Sequence, residues 1–335
     1  MPKPPNEHDQ AASSPRPRVG AAIDVGSNSV HLLIGEVDRG RVVMRHEESV
    51  LLGLGAVVDL EGRIPDGEAE AAIEALTTYI GKAEADGAEW VALLATEPLR
   101  RAADRSRFRT AVLEATGLPL HVLSHEEEAE LTVLSVLAGE GLRESMLVFD
   151  IGGGSSEVVL LEPGADPVVG ILPVGSARLT AAHVEGDPPT RTEVDALRAE
   201  AHHLLSGMPA GHPTRGVVTG GSGTNLLRLT AAHDDDDDDM RITKERIEEA
   251  LDIVTLRTSA ELIDAYGLRE RRVVQMAAGA SLIEAAIDCY ALDHMEASDR
   301  SLREGAILAW AQAGESWRDR LSDLVAGSPT VPGPS

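Results

Sequence analysis

The chain has 335 residues, of which 43% are hydrophobic and 2% are aromatic, and its formal net charge is −26. This length favours two domains with separate cores, and therefore a cleft between them. Few aromatic side chains are available to stack on bases, and the negative charge repels nucleic acid and acidic membranes, so neither is expected as a partner. A site for a polyanion must then be locally basic or contain a metal ion.

Cysteine content and the absence of long apolar runs indicate a cytoplasmic protein. Cys289 is the only cysteine, which excludes an intrachain disulfide and a thiolate metal cluster. No run approaches the ~18 apolar residues that a membrane span requires, and the polar start lacks the apolar region of a signal peptide. We interpret residues 1–17 as a disordered leader and residues 327–335 as a disordered tail.

Strands and helices alternate in the first part of the chain. Val19–Val37 is an aliphatic run broken by Gly-Ser-Asn-Ser, which predicts a β-hairpin. The spacing of apolar residues then predicts a strand at Arg41–Val50, a helix at Gly67–Ala85, a strand at Glu89–Ala95, a helix at Arg105–Thr116, a strand at Leu120–Ser124 and a helix at Glu126–Ala138. This alternation is typical of an α/β fold.

The opening hairpin recurs at Met146–Leu161. Asp24–Ser29 and Asp150–Ser155 share the pattern Asp-x-Gly-x-x-Ser, and each lies between two aliphatic strands. This internal repeat predicts two similar domain halves.

The rest of the chain is predicted to be mostly helical. The predicted elements are a helix at Thr192–Leu205, a strand at Gly216–Thr219, a turn at Gly220–Asn225 leading into Leu226–Ala232, and helices at Thr243–Thr255, Ser259–Tyr266, Arg272–Leu292 and Ser301–Gly314. Asp234–Asp239 is interpreted as a solvated surface loop rather than a calcium site.

Three turns rich in Gly, Ser and Thr are candidate phosphate-binding segments. Glycine lets the main chain approach a phosphate and direct its N–H groups at it. One such turn is typical of a tight hairpin, but the duplicated pattern favours a two-sided clamp, and neither a P-loop nor a Rossmann fingerprint is present. The candidate residues are Gly26, Ser27, Asn28, Ser29, Gly152, Gly153, Gly154, Ser155, Ser156, Gly221, Ser222 and Gly223.

Carboxylates in or beside the paired turns are candidate metal ligands. Asp24, Asp150 and Glu157 offer the hard oxygens that Mg²⁺ or Mn²⁺ prefers, although each aspartate also suits hydrogen bonding within its own turn. Arg100 follows a strand, where its guanidinium suits either a phosphate clamp or a basic surface patch. His121 and His125 lack a third ligand in the pattern and are interpreted as structural.

Together these motifs resemble the exopolyphosphatase and guanosine pentaphosphatase (Ppx/GppA) family of the actin, sugar-kinase and Hsp70 superfold. The resemblance rests on Ile23–Leu32, Gly53–Gly62, Ala95–Arg100, Ser124–Ala129, Phe149–Glu157, Gly221–Thr224 and Ser301–Gly305. It implies an α/β, two-domain, ribonuclease H-like (ASKHA) fold with an interdomain cleft. The implied domains are 18–128 and 129–300, with a C-terminal helix at 301–322 packing back on the first.

The resemblance also assigns roles to individual residues. Glu128, which in isolation is explained by capping of a helix start, matches the catalytic base of the family, while Asp150 and Glu157 match its Mg²⁺-associated carboxylates. Arg100 matches a phosphate-contacting arginine, and the Gly-Ser-rich turns match the phosphate-binding loops. Glu130 departs from the family pattern, because many relatives have arginine there, and so predicts a more acidic cleft edge.

The implied activity is hydrolysis of the terminal phosphoanhydride of inorganic polyphosphate, with release of orthophosphate. Guanosine pentaphosphate is a second candidate substrate. A non-catalytic sensor of polyphosphate or of an alarmone and a small-molecule kinase of the same superfold are the alternatives, and a homodimer is compatible with the sequence.

Overall fold

A computed structural model of the protein describes residues 17–230 and 240–327. The expected leader up to residue 16, the acidic run Asp234–Asp239 and the expected tail from residue 328 lie outside the described residues. Within the described ranges, no helix combines the length and the apolar character needed to cross a membrane.

The first half of the chain forms a five-stranded mixed sheet. Its strands are β1 (Arg18–Val25), β2 (Ser29–Asp38), β3 (Arg41–Leu51), β4 (Trp90–Ala95) and β5 (Leu120–Val122), in the order β3-β2-β1-β4-β5. The first three strands are antiparallel, and β4 and β5 run parallel to β1. The helices of this half are α1 (Leu54–Glu61), α2 (Asp66–Ala85), α3 (Glu97–Arg101), α4 (Arg105–Thr116) and α5 (His125–Val136).

The second half repeats this topology. Its strands are β6 (Met146–Ile151), β7 (Ser156–Leu161), β8 (Val168–Leu172), β9 (Arg215–Thr219), β10 (Arg241–Ile242) and β11 (Met295–Ala297), in the order β10-β11-β9-β6-β7-β8. The five strands β8-β7-β6-β9-β11 have the same directions as β3-β2-β1-β4-β5, and β10 adds an edge. The repeated sequence pattern therefore marks a repeated sheet.

Helices complete the second half and the end of the chain. They are α6 (Ser176–His183), α7 (Arg191–Ser206), α8 (Gly221–Thr230), α9 (Lys244–Leu256), α10 (Ser259–Tyr266), α11 (Glu270–Val274), α12 (Met276–Cys289), α13 (Leu302–Ala313) and α14 (Leu321–Ala326). The expected hairpins and long helices are present. The structure differs from the sequence prediction at Gly220–Asn225, because α8 begins at Gly221 and the turn is only Gly220. The predicted helices at 272–292 and 301–322 are each interrupted, at Gln275 and at Gly314.

The two sheets and the helices on their faces form five layers, and three hydrophobic clusters pack these layers together. One cluster packs α1, α2 and α4 on the outer face of the first sheet, and another packs α7, α9 and α12 on the outer face of the second. The third lies between the sheets, where α5 and α13 contribute residues such as Leu131 and Ile307 and the sheets contribute Leu33 and Val148. Because α5 and α13 belong to this central layer, they join the two halves; the predicted boundaries 18–128 and 129–300 stay a prediction.

The crossing of α5 and α13 depends on one glycine. A Cβ placed on Gly305 would lie 1.9 Å from the carbonyl oxygen of Leu131, which is backbone and cannot rotate away. Only glycine therefore permits this helix crossing.

We expect Gly305→Ala to lower the free energy of unfolding by about 1–3 kcal/mol, because the added methyl group forces the two helices apart. The control is Gly81→Ala in α2, where an added Cβ meets nothing within 4 Å. That variant should gain about 0.5–1 kcal/mol from the helix propensity of alanine. Urea unfolding followed by circular dichroism measures both, and equal gains in the two variants would contradict the packing argument.

Candidate active site

The two repeated hairpin turns close in the same way. The amide of Gly26 donates a hydrogen bond to the carbonyl of Ser29 (3.0 Å), and the amide of Gly152 donates to that of Ser155 (3.1 Å). Each turn follows the central strand of its sheet, β1 or β6. The duplication therefore extends from the strand order to the hydrogen bonding of the turns.

The turns face each other at very short range. A Cβ on Gly153 would lie 2.7 Å from the Asn28 side-chain nitrogen, and one on Gly154 would lie 2.7 Å from Ser27 Oγ. Any side chain at either glycine would push the turns apart. The glycines of the second turn are therefore required by the approach of the first turn.

A cleft of about 400 Å³ opens beside the paired turns. Most of the predicted site residues line it, namely Asp24, Gly26, Ser27, Asn28, Ser29, Glu128, Asp150, Gly152, Gly153, Gly154, Ser155 and Gly221. The sheets thus bring together residues that are more than a hundred positions apart in the sequence.

Some predicted phosphate-binding residues point away from the cleft. Ser156 is fully buried and donates to the carbonyl of Val174 (3.1 Å). Ser222 packs against Gly279, where an added Cβ would lie 2.7 Å from its hydroxyl oxygen, and Gly223 abuts the sheet at Val218. Of the third Gly-rich segment, Gly221 has the position that suits a phosphate contact.

A cluster of His125, Glu128 and Glu157 lies against the cleft, with ligand atoms within 4.8 Å of one another. Ser124 caps α5, and its capping box with Glu127 fixes the first turn of the helix, which carries both His125 and Glu128. The structure therefore adds His125, which the sequence interpretation left as structural, to the candidate metal-binding or catalytic groups.

Arg100 is the cation of this cluster. Its Nη1 donates to Glu128 Oε2 (2.7 Å) and to the carbonyl of Leu123 (3.0 Å), while Nη2 contacts His125 Nδ1 (3.1 Å) and Ser155 Oγ (3.2 Å). Four partners hold the guanidinium in one orientation. Arg100 therefore orients the Glu128 carboxylate and links it to the second turn.

Burial raises the pKa of the cleft carboxyl groups. Loss of solvent, together with the charge of Glu157, raises the pKa of Glu128 well above its usual value. Burial and the charge of Asp150 raise the pKa of Glu157 to about 8, and burial raises the pKa of Asp24 to about 6 despite the opposing charge of Arg303. Burial also raises the pKa of Asp150. Like charges in a poorly solvated site disfavour full ionisation.

His125 lies between Arg100 and Glu157. Its Nδ1 is 3.1 Å from Arg100 Nη2 and 2.7 Å from Glu157 Oε1. This nitrogen has one lone pair, so it cannot accept a full hydrogen bond from both groups. His125 thus connects the guanidinium of Arg100 to the buried carboxyl group of Glu157.

The carboxylates fit a divalent cation. Asp24 Oδ1 is buried and, among the described residues, has no hydrogen-bond partner, while Asp150 accepts one hydrogen bond from Thr132 (2.9 Å). Buried oxygens without partners are costly unless something binds them. Hard oxygen ligands of this kind suit Mg²⁺ or Mn²⁺, and a bound cation would reverse the upward pKa shifts.

Arginines that the sequence interpretation missed also line the cleft. They are Arg228 of α8, Arg269 before α11, Arg272 of α11, and Arg300 and Arg303 at the start of α13. Arg300 is structural, because its Nη1 donates to the carbonyls of Ser135, Val136 and Ala138 at the end of α5. The others place positive charge in a lining that also contains several carboxylates.

The arginines also set the charge state of His31. Burial, followed by the charges of Arg303, Arg272 and Arg269, lowers the pKa of His31 to about 3. Its Nε2 shares a hydrogen bond with Ser29 Oγ (2.5 Å). His31 is therefore a neutral group that orients a hydroxyl of the first turn.

Glu130 does not line the cleft. Its carboxylate accepts a hydrogen bond from Ser322 Oγ (2.6 Å), on the side of α5 that faces α14. The expectation that Glu130 acidifies the cleft edge is therefore wrong, because the next residues of α5 after Glu128 turn away from the cleft.

The repeated sheets and the paired turns define the actin, sugar-kinase and Hsp70 superfold. Nucleoside triphosphate hydrolases from Neospora caninum share the fold at a TM-score of 0.50 and 11% identity, over 93% of this chain and 95% of theirs. Within this superfold, the chain belongs to the Ppx/GppA phosphatase family, whose profile matches residues 33–313. The family and fold class predicted from the sequence are thus confirmed.

Relatives match most of the chain. Exopolyphosphatase 1 of Mycobacterium tuberculosis H37Rv is 30% identical over 299 residues, which cover 85% of this chain and 86% of that protein. The Aquifex aeolicus Ppx/GppA family member has a TM-score of 0.77 and 27% identity, over 89% of this chain and 99% of that one. An exopolyphosphatase from Cytophaga hutchinsonii has the same fold, with a TM-score of 0.78 and 20% identity over 88% and 98% of the two chains.

In a chelating buffer, we expect stability to fall as the pH rises. The pKa of Glu157 is raised from 4.5 to about 8 in the folded protein, so the folded state keeps a proton that the unfolded chain releases between these values. The contribution of this group is complete below pH 4.5 and is lost as the pH rises through about 8. Urea unfolding at several pH values measures it.

Glu157→Gln should reduce this pH dependence, because glutamine does not titrate. It should not abolish it, because burial also raises the pKa values of Glu128, Asp24 and Asp150. Glu89→Gln, which removes an exposed ion pair with Arg18, is the control and should keep the wild-type slope. The same slope in Glu157→Gln and wild type would show that another group is responsible.

Proposed function

We propose that this chain is an exopolyphosphatase that hydrolyses the terminal phosphoanhydride of inorganic polyphosphate and releases orthophosphate. The observation that carries the proposal is the Glu128 carboxylate, which lines the cleft beside the paired turns and is held by Arg100. Family membership and the names of its mycobacterial relatives support this activity.

Glu128 is proposed as the base that takes a proton from the attacking water. A base is most effective when its pKa lies near the working pH, and burial moves the pKa of Glu128 upward from the usual carboxyl range. Arg100 fixes the carboxylate by binding Oε2. The amides of the two turns, which approach from opposite sides, position the terminal phosphate for in-line attack.

Asp24, Asp150 and Glu157 are the residues that would hold a divalent cation, with His125 beside them. A bound cation supplies charge neutralisation for the phosphate oxygens as negative charge develops. The residues of the chain supply the remaining steps: orientation of the terminal phosphate by the turns, and removal of the water proton by Glu128.

The lining of the cleft supports an inorganic chain over a nucleotide as the substrate. Ile151 and Leu302 are the apolar side chains in the described lining, and neither offers an aromatic face to a base. The arginines of the lining offer charge-assisted hydrogen bonds to phosphates beyond the reacting one. Guanosine pentaphosphate is the comparison substrate, and the cytoplasmic location and a homodimer stay predictions.

Replacing Glu128 by Gln should reduce phosphate release from polyphosphate by about 10²- to 10⁴-fold, because the general base is lost. The control is Glu126→Gln, two residues earlier on the same helix turn and exposed to solvent. Release of orthophosphate is measured with and without Mg²⁺, from short and long polyphosphate and from guanosine pentaphosphate.

The hydrolase is supported if phosphate release requires both Mg²⁺ and Glu128 and if Glu126→Gln changes the rate of release by no more than about twofold. Tight binding of polyphosphate without release would instead indicate a sensor. Transfer of a phosphoryl group from ATP to a small acceptor would indicate a kinase.

Replacing Arg272 by Met should raise the KM for long-chain polyphosphate by about tenfold, the effect of losing ~1.4 kcal/mol of binding. Its kcat should change little, because the arginine that holds the Glu128 carboxylate is Arg100. Arg257→Met, which removes an arginine that stacks on Tyr266 outside the cleft, is the control. An unchanged KM at low ionic strength would contradict phosphate binding by this arginine.

A further inference from the structure

Four charged side chains join the two halves of the protein at the point where the turns meet. Glu97 and Arg101 lie on α3 and Asp59 lies on α1, all in the first half, and Arg178 lies on α6 in the second. Arg178 Nη2 donates to Glu97 Oε1 (2.6 Å) and contacts Asp59 Oδ1 (3.4 Å), while Arg101 forms ion pairs with both carboxylates. The group is electrically neutral and crosses between the halves.

Arg178 is anchored to the second turn through its backbone. Its amide donates to the carbonyl of Gly153 (3.2 Å), and the amide of Ser176 at the start of α6 donates to Gly152 (2.9 Å). Nη1 of Arg178 also donates to the carbonyl of Pro173 (2.7 Å). The first turn of α6 therefore supports the second hairpin turn and directs the Arg178 side chain at Glu97.

Glu97 is anchored to the first turn. Ser27 Oγ donates to Glu97 Oε2 (2.9 Å), and a Cβ placed on Gly154 would lie 2.7 Å from that same oxygen. The Glu97 carboxylate thus lies between the two turns. The contact between Arg178 and Glu97 connects the backbone of the second turn to a side chain of the first.

Burial makes this contact sensitive to the loss of either partner. The Glu97 side chain is 7% exposed and that of Arg178 is 29% exposed. A buried ion pair contributes little net stability compared with apolar packing, but removing one partner leaves an uncompensated charge. Such a pair is suited to fixing geometry rather than to raising overall stability.

We propose that Arg178 and Glu97 are positioning residues that set the spacing of the two phosphate-binding turns. Glu97 also belongs to the cleft lining, but both residues act on the turns, through Gly153 and Ser27. The inference rests on the proposed phosphohydrolase function for its kinetic consequence, whereas its effect on the turns is independent of activity.

The test uses the full chain with Arg178→Met, Glu97→Gln and the double variant. The matched control is Arg198→Met, which breaks a similarly buried pair, with Arg198 24% and Glu284 13% exposed, between α7 and α12 and away from the turns. Circular dichroism identifies a temperature at which all four variants are folded. Arg178→Lys keeps the charge and replaces Arg178→Met if that variant does not fold.

Kinetically, Arg178→Met and Glu97→Gln should each lower kcat/KM for polyphosphate by at least about tenfold relative to Arg198→Met. The double variant should lose no more than the worse single variant, because both changes break one contact. Losses that multiply, or losses equal to that of Arg198→Met, would overturn the proposal. Absence of phosphate release in the wild type would reject the proposed function instead.

Hydrogen exchange tests the inference without activity. Peptides covering residues 24–29 and 150–155 should exchange faster in Arg178→Met than in Arg198→Met, because the hydrogen bonds that close both turns open more often. Unchanged exchange in both turns would overturn the positioning role, whatever the enzyme assays give.

Discussion

Negative charge concentrated in a poorly solvated cleft is the constraint around which the rest of the site is organised. Glu128 and Glu157 are buried, and Asp24 and Asp150 lie beside them at the ends of two strands. Arg100 is a cation in direct contact with both Glu128 and Ser155. The raised pKa values of these groups follow from their burial and mutual repulsion, and arginines of α8, α11 and α13 lie in the same cleft lining.

The duplicated topology explains how carboxyl groups from distant parts of the sequence come together in the cleft. In each half the last residue but one of the central strand is an aspartate, a glycine turn follows the strand, and the two sheets face each other through α5 and α13. Because the halves are built alike, the turns approach symmetrically and glycine is needed where they touch. The same approach lets a phosphate be contacted from two sides, which a single turn does not allow.

Local patterns in the sequence predicted the features that depend on neighbouring residues. The Asp-x-Gly-x-x-Ser repeat predicted both turns, and the long amphipathic helices were predicted within a few residues. Short elements such as α3 and α6 carry too few residues for a periodic signal. The cleft arginines come from three separate elements, so only the fold brings Arg228, Arg272 and Arg303 together. The role of Glu128 was predicted only through the family resemblance, since its local sequence pattern is that of a capped helix.

The position of α13 in the sequence means that the cleft is completed late in the synthesis of the chain. The first turn is made within the first thirty residues of the chain, but the helix that fills the central layer and carries Arg303 begins at Leu302. During synthesis from the N-terminus, the inner face of the first sheet has α5 but lacks α13 until residues 302–313 have emerged. Contacts of such long sequence separation slow folding. A nascent chain therefore has both hairpin turns long before it has a complete cleft.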